Sequence, residues 1–289
     1  MDVMMKLLLA LDLPKIPIGK WVEAIESWLK EHAGPVFKGI KVFIESTVNG
    51  LADGFNAVPP LLLIVLFTAL AFWIGRTKIA LFTLIGLYLV YNLGYWANTM
   101  ETLALVLTAS AISVVIGIPL GIACARSNRV QKIVTPVLDF MQTMPAFVYL
   151  LPAVAFFSLG VVPGVIASVI FGIPPTIRLT NLGIRQVPAD LVEAADAFGS
   201  TPMQKLIKLQ LPIAAPTIMA GINQTIMLSL SMVVIASMIG AQGVGADVYR
   251  ATTQAKTGVG FEAGLAVVVL AIILDRITQN LVKNKRKGS

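Results

Sequence analysis

Apolar residues run through this chain in long blocks, with polar ones gathered in the gaps between them. Blocks of roughly 18 residues or more fall at 57–75, 79–96, 102–125, 139–158, 161–179, 213–239 and 261–282. A hydrocarbon core of about 30 Å is crossed by about 20 helical residues, so the pattern predicts an all-α, polytopic membrane protein with about seven transmembrane helices. Pro145, Pro152, Pro163, Pro174 and Pro175 interrupt the fourth and fifth blocks. Membrane helices tolerate proline where neighbours re-satisfy the freed carbonyls, and broken helices are expected there.

Two segments depart from the oily pattern. Ahead of the first block, residues 1–56 form a long tail containing GKWVEAIESWLKEHAG. Its Trp21, Val22, Ile25, Trp28 and Leu29 recur at helical spacing against Glu23, Glu26, Lys30 and Glu31. Such a helix either lies flat in the headgroup region, with tryptophan at the interface, or packs on its own protein. The spacing leaves both arrangements open.

The second segment, residues 188–212, reads as helix, turn, helix. Pro188 suits a helix start, and Asp190 in the first turn complements the positive end of the helix dipole. Gly199 is the residue that most easily takes the left-handed conformation ending a helix. Thr201, Pro202 and Gln204 then read as an N-cap, a first-turn proline and a capping-box partner, with Pro212 marking the end of the second helix. Leu191, Ala194, Ala195 and Phe198 share one side of the first helix, with Asp190, Glu193 and Asp196 on the other. In the second, Met203, Leu206 and Ile207 oppose Gln204, Lys205 and Lys208. The pair is either a connector lying on its own membrane helices or a dock for a soluble partner, whose lever needs fixed ends.

Composition agrees with a membrane protein: 57% of residues are hydrophobic, 13% are charged, and the mean hydropathy is +0.84. The net charge of +7 does not point to nucleic acid, because the basic residues flank the apolar blocks. Arg76 and Lys78, then Arg126, Arg129 and Lys132, then Arg178, Arg185, Lys205 and Lys208, then Arg276, Lys283, Lys285, Arg286 and Lys287 fall on one side. The loops on the other side hold Arg250 and Lys256. Lysine and arginine concentrate on the cytoplasmic side, so the N-terminal tail is expected outside, and the C-terminus and residues 188–212 inside. The N-terminal MDVMMKLLLALDLPK has too short an apolar core for a secretory signal and is expected to be retained. One cysteine, Cys124, and one histidine, His32, leave no disulfide framework and no metal-ligand spacing.

EAADAFGSTPMQKLIKLQLP resembles the EAA loop of ABC importer permeases. Glu193, Ala194 and Ala195 are followed at the family's spacing by Gly199 and, further on, by Leu209, Leu211 and Pro212. Leu209 stands where the family usually has isoleucine and keeps a hydrophobic anchor. IVTPVLDFMQTMPAFVYLLPAV, SLSMVVIASMIGA and KTGVGFEAGLAVVVLAIILDRITQ are similar to permease subunits of glycine betaine and proline importers, over roughly residues 96–279. The resemblance implies a type I ABC importer (MetI-like) permease core over 97–282, two accessory transmembrane helices over 57–96, and a basic cytoplasmic tail at 283–289. It also implies a bacterial cytoplasmic-membrane location and compatible solutes, such as glycine betaine or proline, as substrates. In that family the loop forms coupling helices seated in the ATPase subunit. A separate extracytoplasmic binding protein supplies high-affinity recognition, and permease subunits pair, most simply here as a homodimer.

No G-x-x-x-x-G-K-[ST] phosphate loop occurs, so ATP and Mg are expected on the partner ATPase, and this chain is read as a non-catalytic subunit without a cofactor of its own. Asp139, Gln142, Phe147, Tyr149, Asn223 and Gln224 are the candidates for a translocation path, because polar groups within spans are costly unless hydrated or paired. They serve equally as hydrogen bonds between helices, and aromatic residues in spans as packing. Phe140, Phe156 and Phe157 are further rings that could face a quaternary ammonium. Gly117–Gly121 and Gly260–Gly264 have helix-contact spacing. Choline, carnitine or an amino acid are alternative substrates. An ion-coupled transporter would favour inverted repeats and mid-membrane carboxylates, and an intramembrane enzyme would need a nucleophile with a base or a metal. The sequence offers neither set.

Overall fold

The structure, a computed structural model, describes residues 16–285 and the side chains of residues 16–280. The N-terminal stretch through Lys15 and the basic side chains of Lys283, Lys285, Arg286 and Lys287 lie outside the described residues. In chain order the helices are α1 (Ile18–Ala57), α2 (Pro60–Asn92), α3 (Trp96–Arg126), α4 (Asn128–Thr143), α5 (Ala146–Phe157) and α6 (Val161–Arg185). There follow α7 (Ala189–Ala197), α8 (Pro202–Lys205), a π-helical turn at Leu206–Gln210, α9 (Leu211–Ser237), α10 (Val244–Thr253) and α11 (Thr257–Lys285).

Among the described residues, five helical segments are long and apolar enough to cross a bilayer: α2, α3, α6, the continuous run Pro202–Ser237, and α11. A sixth is the pair α4 and α5, bent by 101°. The α2 segment is itself divided at Arg76, whose φ of 62° and ψ of −166° leave the helix. Leu63 and Ile64 before that break, and Leu87 and Val90 after it, all belong to the main core cluster. The blocks expected at 57–75 and 79–96 lie on either side of the break, and counting them apart, with the bent pair, gives roughly the seven segments expected.

The fourth block was expected at 139–158, but its helix begins at Asn128, where Ser127 caps it by accepting from the Val130 N–H at 3.4 Å. Met144 and Pro145 then break it, as the prolines suggested. The fifth block differs from expectation. Pro174 and Pro175 leave α6 continuous. Just after the two carbonyls these prolines free, Ile170 and Phe171, the Gly172 carbonyl accepts from Thr225 of α9 at 2.7 Å. Thr225 in turn accepts from Thr176 at 2.8 Å.

Burial orders the helices. In α6, 72% of the membrane stretch is buried within the protein, against 22% in α2, which puts α6 at the centre and α2 at the rim. Glycine lets α3 lie against α6: a Cβ on Gly117 would sit 2.8 Å from Thr176 Cγ2, and one on Gly121 2.6 Å from Thr180 Cβ. Gly117 and Gly121 are thus helix contacts. Gly264 has open space where a Cβ would lie, so the Gly260–Gly264 spacing is not one.

Of the two arrangements left open for the tail, helix α1 shows the packing on its own protein and leaves a second apolar face exposed. One face, carrying Phe37, Ile44, Val48 and Ala52, packs on the transmembrane core, where Phe37 stacks on Phe156 at 4.5 Å. A second stripe, with Ile18, Trp21, Val22, Ile25, Trp28 and Phe43, is exposed and has no protein against it. At about 100° per residue the two faces are separated around the helix. An exposed stripe containing two tryptophans suits the headgroup layer.

Candidate functional site

The polar island folds as two short helices joined at a glycine. Helix α7 ends at Ala197, and Gly199 takes φ +73°, in the left-handed region that side chains with a Cβ disfavour. A Cβ there would meet nothing within 4 Å, so backbone conformation alone calls for glycine. The capping box is complete: the Gln204 N–H donates to Thr201 Oγ1 at 3.3 Å, and the Thr201 N–H donates to Gln204 Oε1 at 2.9 Å. Lys205 Nζ donates to both carboxylate oxygens of Asp196, at 2.6 and 2.7 Å. The two halves are thereby pinned across the turn.

Pro212 does not end the second helix, contrary to the sequence expectation. Lys205 runs straight into the π turn, and the Leu211 N–H reaches back five residues to the Leu206 carbonyl. Pro212 then follows directly on the π turn, at the second position of α9. The second short helix is thus the rigid foot of a membrane span. Leu206 does not share the open face with Met203 and Ile207: it is buried against Ile184, Ala214 and Ile218, while the other two are exposed. That buried leucine anchors the foot.

Helix α7 has no buried residue. Phe198 is 91% exposed and Leu191 41%, so the apolar side predicted for this helix is open. Glu193 and Ala194 are exposed and Ala195 is half-buried. Between the two helices lies a concavity of about 430 Å³, lined by Leu191, Ala195, Ser200, Gln204, Lys205, Lys208 and Leu209. Leu209 and Leu211 are half-buried at its root and Pro212 is exposed. Of the seven loop residues named from the resemblance, Ala195 and Leu209 line this concave, mixed apolar and basic surface, and the other five do not. A connector packed on its own helices would have covered α7.

The six path candidates do not converge. Asp139 on α4 pairs with Arg178 on α6, with Nη2 to Oδ1 at 2.6 Å. Asn223 on α9 donates to Asp275 Oδ1 on α11 at 2.8 Å, and Gln279 donates to the same oxygen at 2.7 Å. Tyr149 is buried, its hydroxyl donating to the Met141 carbonyl across the bend. Tyr149, Asp139 and Asn223 are hence interhelical or bend-spanning ties. Gln142, Phe147 and Gln224 are exposed. Phe140 is exposed beside them, whereas Phe156 and Phe157 pack on Phe37. Sequence reading missed Arg178 and Arg185 as ties between helices. Their spacing of two helical turns along one span was the available signal.

Residues 117–287 match the family model described as "Binding-protein-dependent transport system inner membrane component". The chain belongs to that family. It is an integral membrane protein with the all-helical fold of a type I ABC importer (MetI-like) permease. It is 58% identical to the glycine betaine transport system permease protein OpuAB of Bacillus subtilis (strain 168), over 96% of this chain and 99% of the relative. It is 54% identical to the glycine betaine/carnitine transport permease protein GbuB of Listeria monocytogenes, over 95% of this chain and 99% of that one. It is also 49% identical to the glycine betaine/proline betaine transport system permease protein ProW of Escherichia coli (strain K12), over 94% of this chain and 77% of the relative. Two solved inward-facing structures of the MetNI methionine ABC transporter match it with TM-scores of 0.59 and 0.61, each at 21% identity. They cover 63% and 66% of this chain and 92% and 95% of their own. These two carry the fold alone. The chain is a permease subunit of an ABC importer and not itself an enzyme.

Proposed function

We propose that this permease passes compatible solutes of the glycine betaine and proline betaine type across the bacterial cytoplasmic membrane, driven by a separate ATPase subunit. The observation that carries the coupling half of this reading is the open face of α7 beside a second helix that is continuous with span α9. A partner that seats on Phe198, Leu191 and the basic concavity reaches α9 through the Asp196–Lys205 pin and through α8, which runs into the membrane span without a break. The substrate half rests on the names of three relatives at 49% identity or more over most of the chain.

Further parts follow from the same reading. Glu193, Ala194, Ala195, Gly199, Leu209, Leu211 and Pro212 form the ATPase-facing element. ATP and Mg belong to that ATPase. A soluble binding protein delivers the solute on the face carrying α10, and two copies of the chain assemble so that each ATPase finds one loop. The N-terminus is outside and the C-terminus inside, as the distribution of lysine and arginine suggests. The exposed Gln142, Phe147 and Gln224 are the remaining candidates for contact with passing solute.

The test is uptake of radiolabelled glycine betaine into proteoliposomes holding the permease with its ATPase and binding protein. Uptake is expected to require ATP and to be competed by proline betaine. Absence of uptake alongside active ATP hydrolysis would discard the solute class and leave the family intact.

A further inference from the structure

Helix α4 is held loosely for a membrane segment: of its 16 residues, Leu138 alone is buried, against Cys124, Ile173 and Ile177. Apart from the Tyr149 hydroxyl of α5 on the Met141 carbonyl, its polar ties to neighbouring helices come from two arginines of α6. Arg178 Nη2 reaches Asp139 Oδ1 on α4 at 2.6 Å. Arg185 Nη2 reaches Asn128 Oδ1, at the start of α4, at 2.8 Å, and the Cys124 carbonyl, near the end of α3, also at 2.8 Å. Arg185 Nε is steadied by Asn181 on its own helix at 2.9 Å. Residues 178 and 185 are two turns apart, so both project from one face of α6.

Place in the chain gives these contacts their meaning. Arg185 is the last residue of α6, and the open helix α7 starts at Ala189. At the far end of the contacts, α4 is one arm of the segment bent by 101°. The Arg178 and Asp139 side chains are 42% and 57% exposed. Ion pairs open to their surroundings contribute little to stability. Such a pair holds position without fixing the fold, and it can break and re-form as helices shift. A guanidinium supplies several donors in a rigid fork, and Arg185 holds two helices at once through Nη2 while its Nε is held by Asn181.

We propose that Arg178 and Arg185 are positioning residues that gear the bent span α4–α5 to the loop, so that displacement of α7 shifts the bend. This rests on the reading of α7 as the ATPase contact. Motion enters through α7, passes into the end of α6, and crosses to α4 through Arg185–Asn128 and Arg178–Asp139. Without these contacts, α6 would slide past α4 on the small apolar patch around Leu138.

The experiment places a reporter on α4. Gln142 is exposed and the native thiol, Cys124, is buried, so Gln142→Cys can be labelled selectively in the assembled complex. With Arg178 intact, ATP plus vanadate is expected to change the labelling rate by about fivefold or more, the lower end of ordinary coupling between two sites. In Arg178→Gln the nucleotide effect should shrink below about twofold, and the exchange Asp139→Arg with Arg178→Asp should restore it. A full nucleotide effect in Arg178→Gln overturns the inference. So does loss in Arg178→Gln without restoration by the exchange, since the ion pair would then not be the carrier. No nucleotide effect with Arg178 intact contradicts the reading of α7 as the ATPase contact, and the gearing with it.

Discussion

Replacing Phe198 by alanine is expected to leave the permease as stable as before and to remove most of its hold on the ATPase subunit. The ring is 91% exposed on a helix with no buried residue. Its loss opens no cavity, and exposed substitutions shift stability by about 0.5 kcal/mol or less. An aromatic anchor at the centre of an interface commonly contributes about 2 kcal/mol or more when truncated, which corresponds to a roughly 30-fold weaker complex. Thermal unfolding of the detergent-solubilised permease and titration with the ATPase measure the two quantities separately. Lowered thermal stability with unchanged affinity would show that Phe198 supports the permease itself and that the dock lies elsewhere.

Replacing Gly199 by valine is expected to uncouple the complex without detaching it. The backbone there has φ +73°, and a Cβ would meet no atom within 4 Å, so the obstacle is conformational. A left-handed backbone costs an ordinary L-residue roughly 1–2 kcal/mol and a β-branched one more. The turn relieves that strain by changing its dihedrals, which re-aims α7 relative to the foot of α9 and pulls against the Asp196–Lys205 pin. ATP hydrolysis should persist while solute imported per ATP falls by about tenfold, a loss of about 1.4 kcal/mol in coupling. Asparagine tolerates this conformation far better than valine, so Gly199→Asn should retain most of the coupling. Equal loss in the two variants would show that the space around Gly199 matters and its backbone does not.

Much of this site is legible in the sequence because its signals are local. A capping box, a glycine stop and a two-faced period each span a few residues, and Thr201, Gln204, Gly199 and Phe198 sit as their positions predict. Pro212 misled because proline is equally at home ending one helix or entering the next, and the deciding π turn involves a hydrogen bond that no residue pattern announces. Pro174 and Pro175 misled for a related reason: Thr225, which donates to α6 just before them, lies far along the chain on another helix. The path candidates show the same limit. Polarity within a span marks Asp139 and Asn223 as candidates, but their partners, Arg178 and Asp275, come from other helices and appear only once the helices are packed. Helix α1 has a clear period, yet its two apolar faces are told apart only by what stands beside each.

Coupling through the loop requires the ATPase subunit to sit on the open face of α7 and α8. Photo-crosslinking from single positions in the assembled complex tests this without intermediaries, with a benzophenone side chain at Glu193 or Met203 and a control at Val115. All three positions are exposed in the isolated permease, Val115 lying on the membrane span α3. A crosslinked adduct of permease and ATPase is expected from 193 and 203, and none from 115. An ATPase that remains bound and active yet gives no adduct from either loop position would place the dock elsewhere on the permease and refute the coupling role of α7.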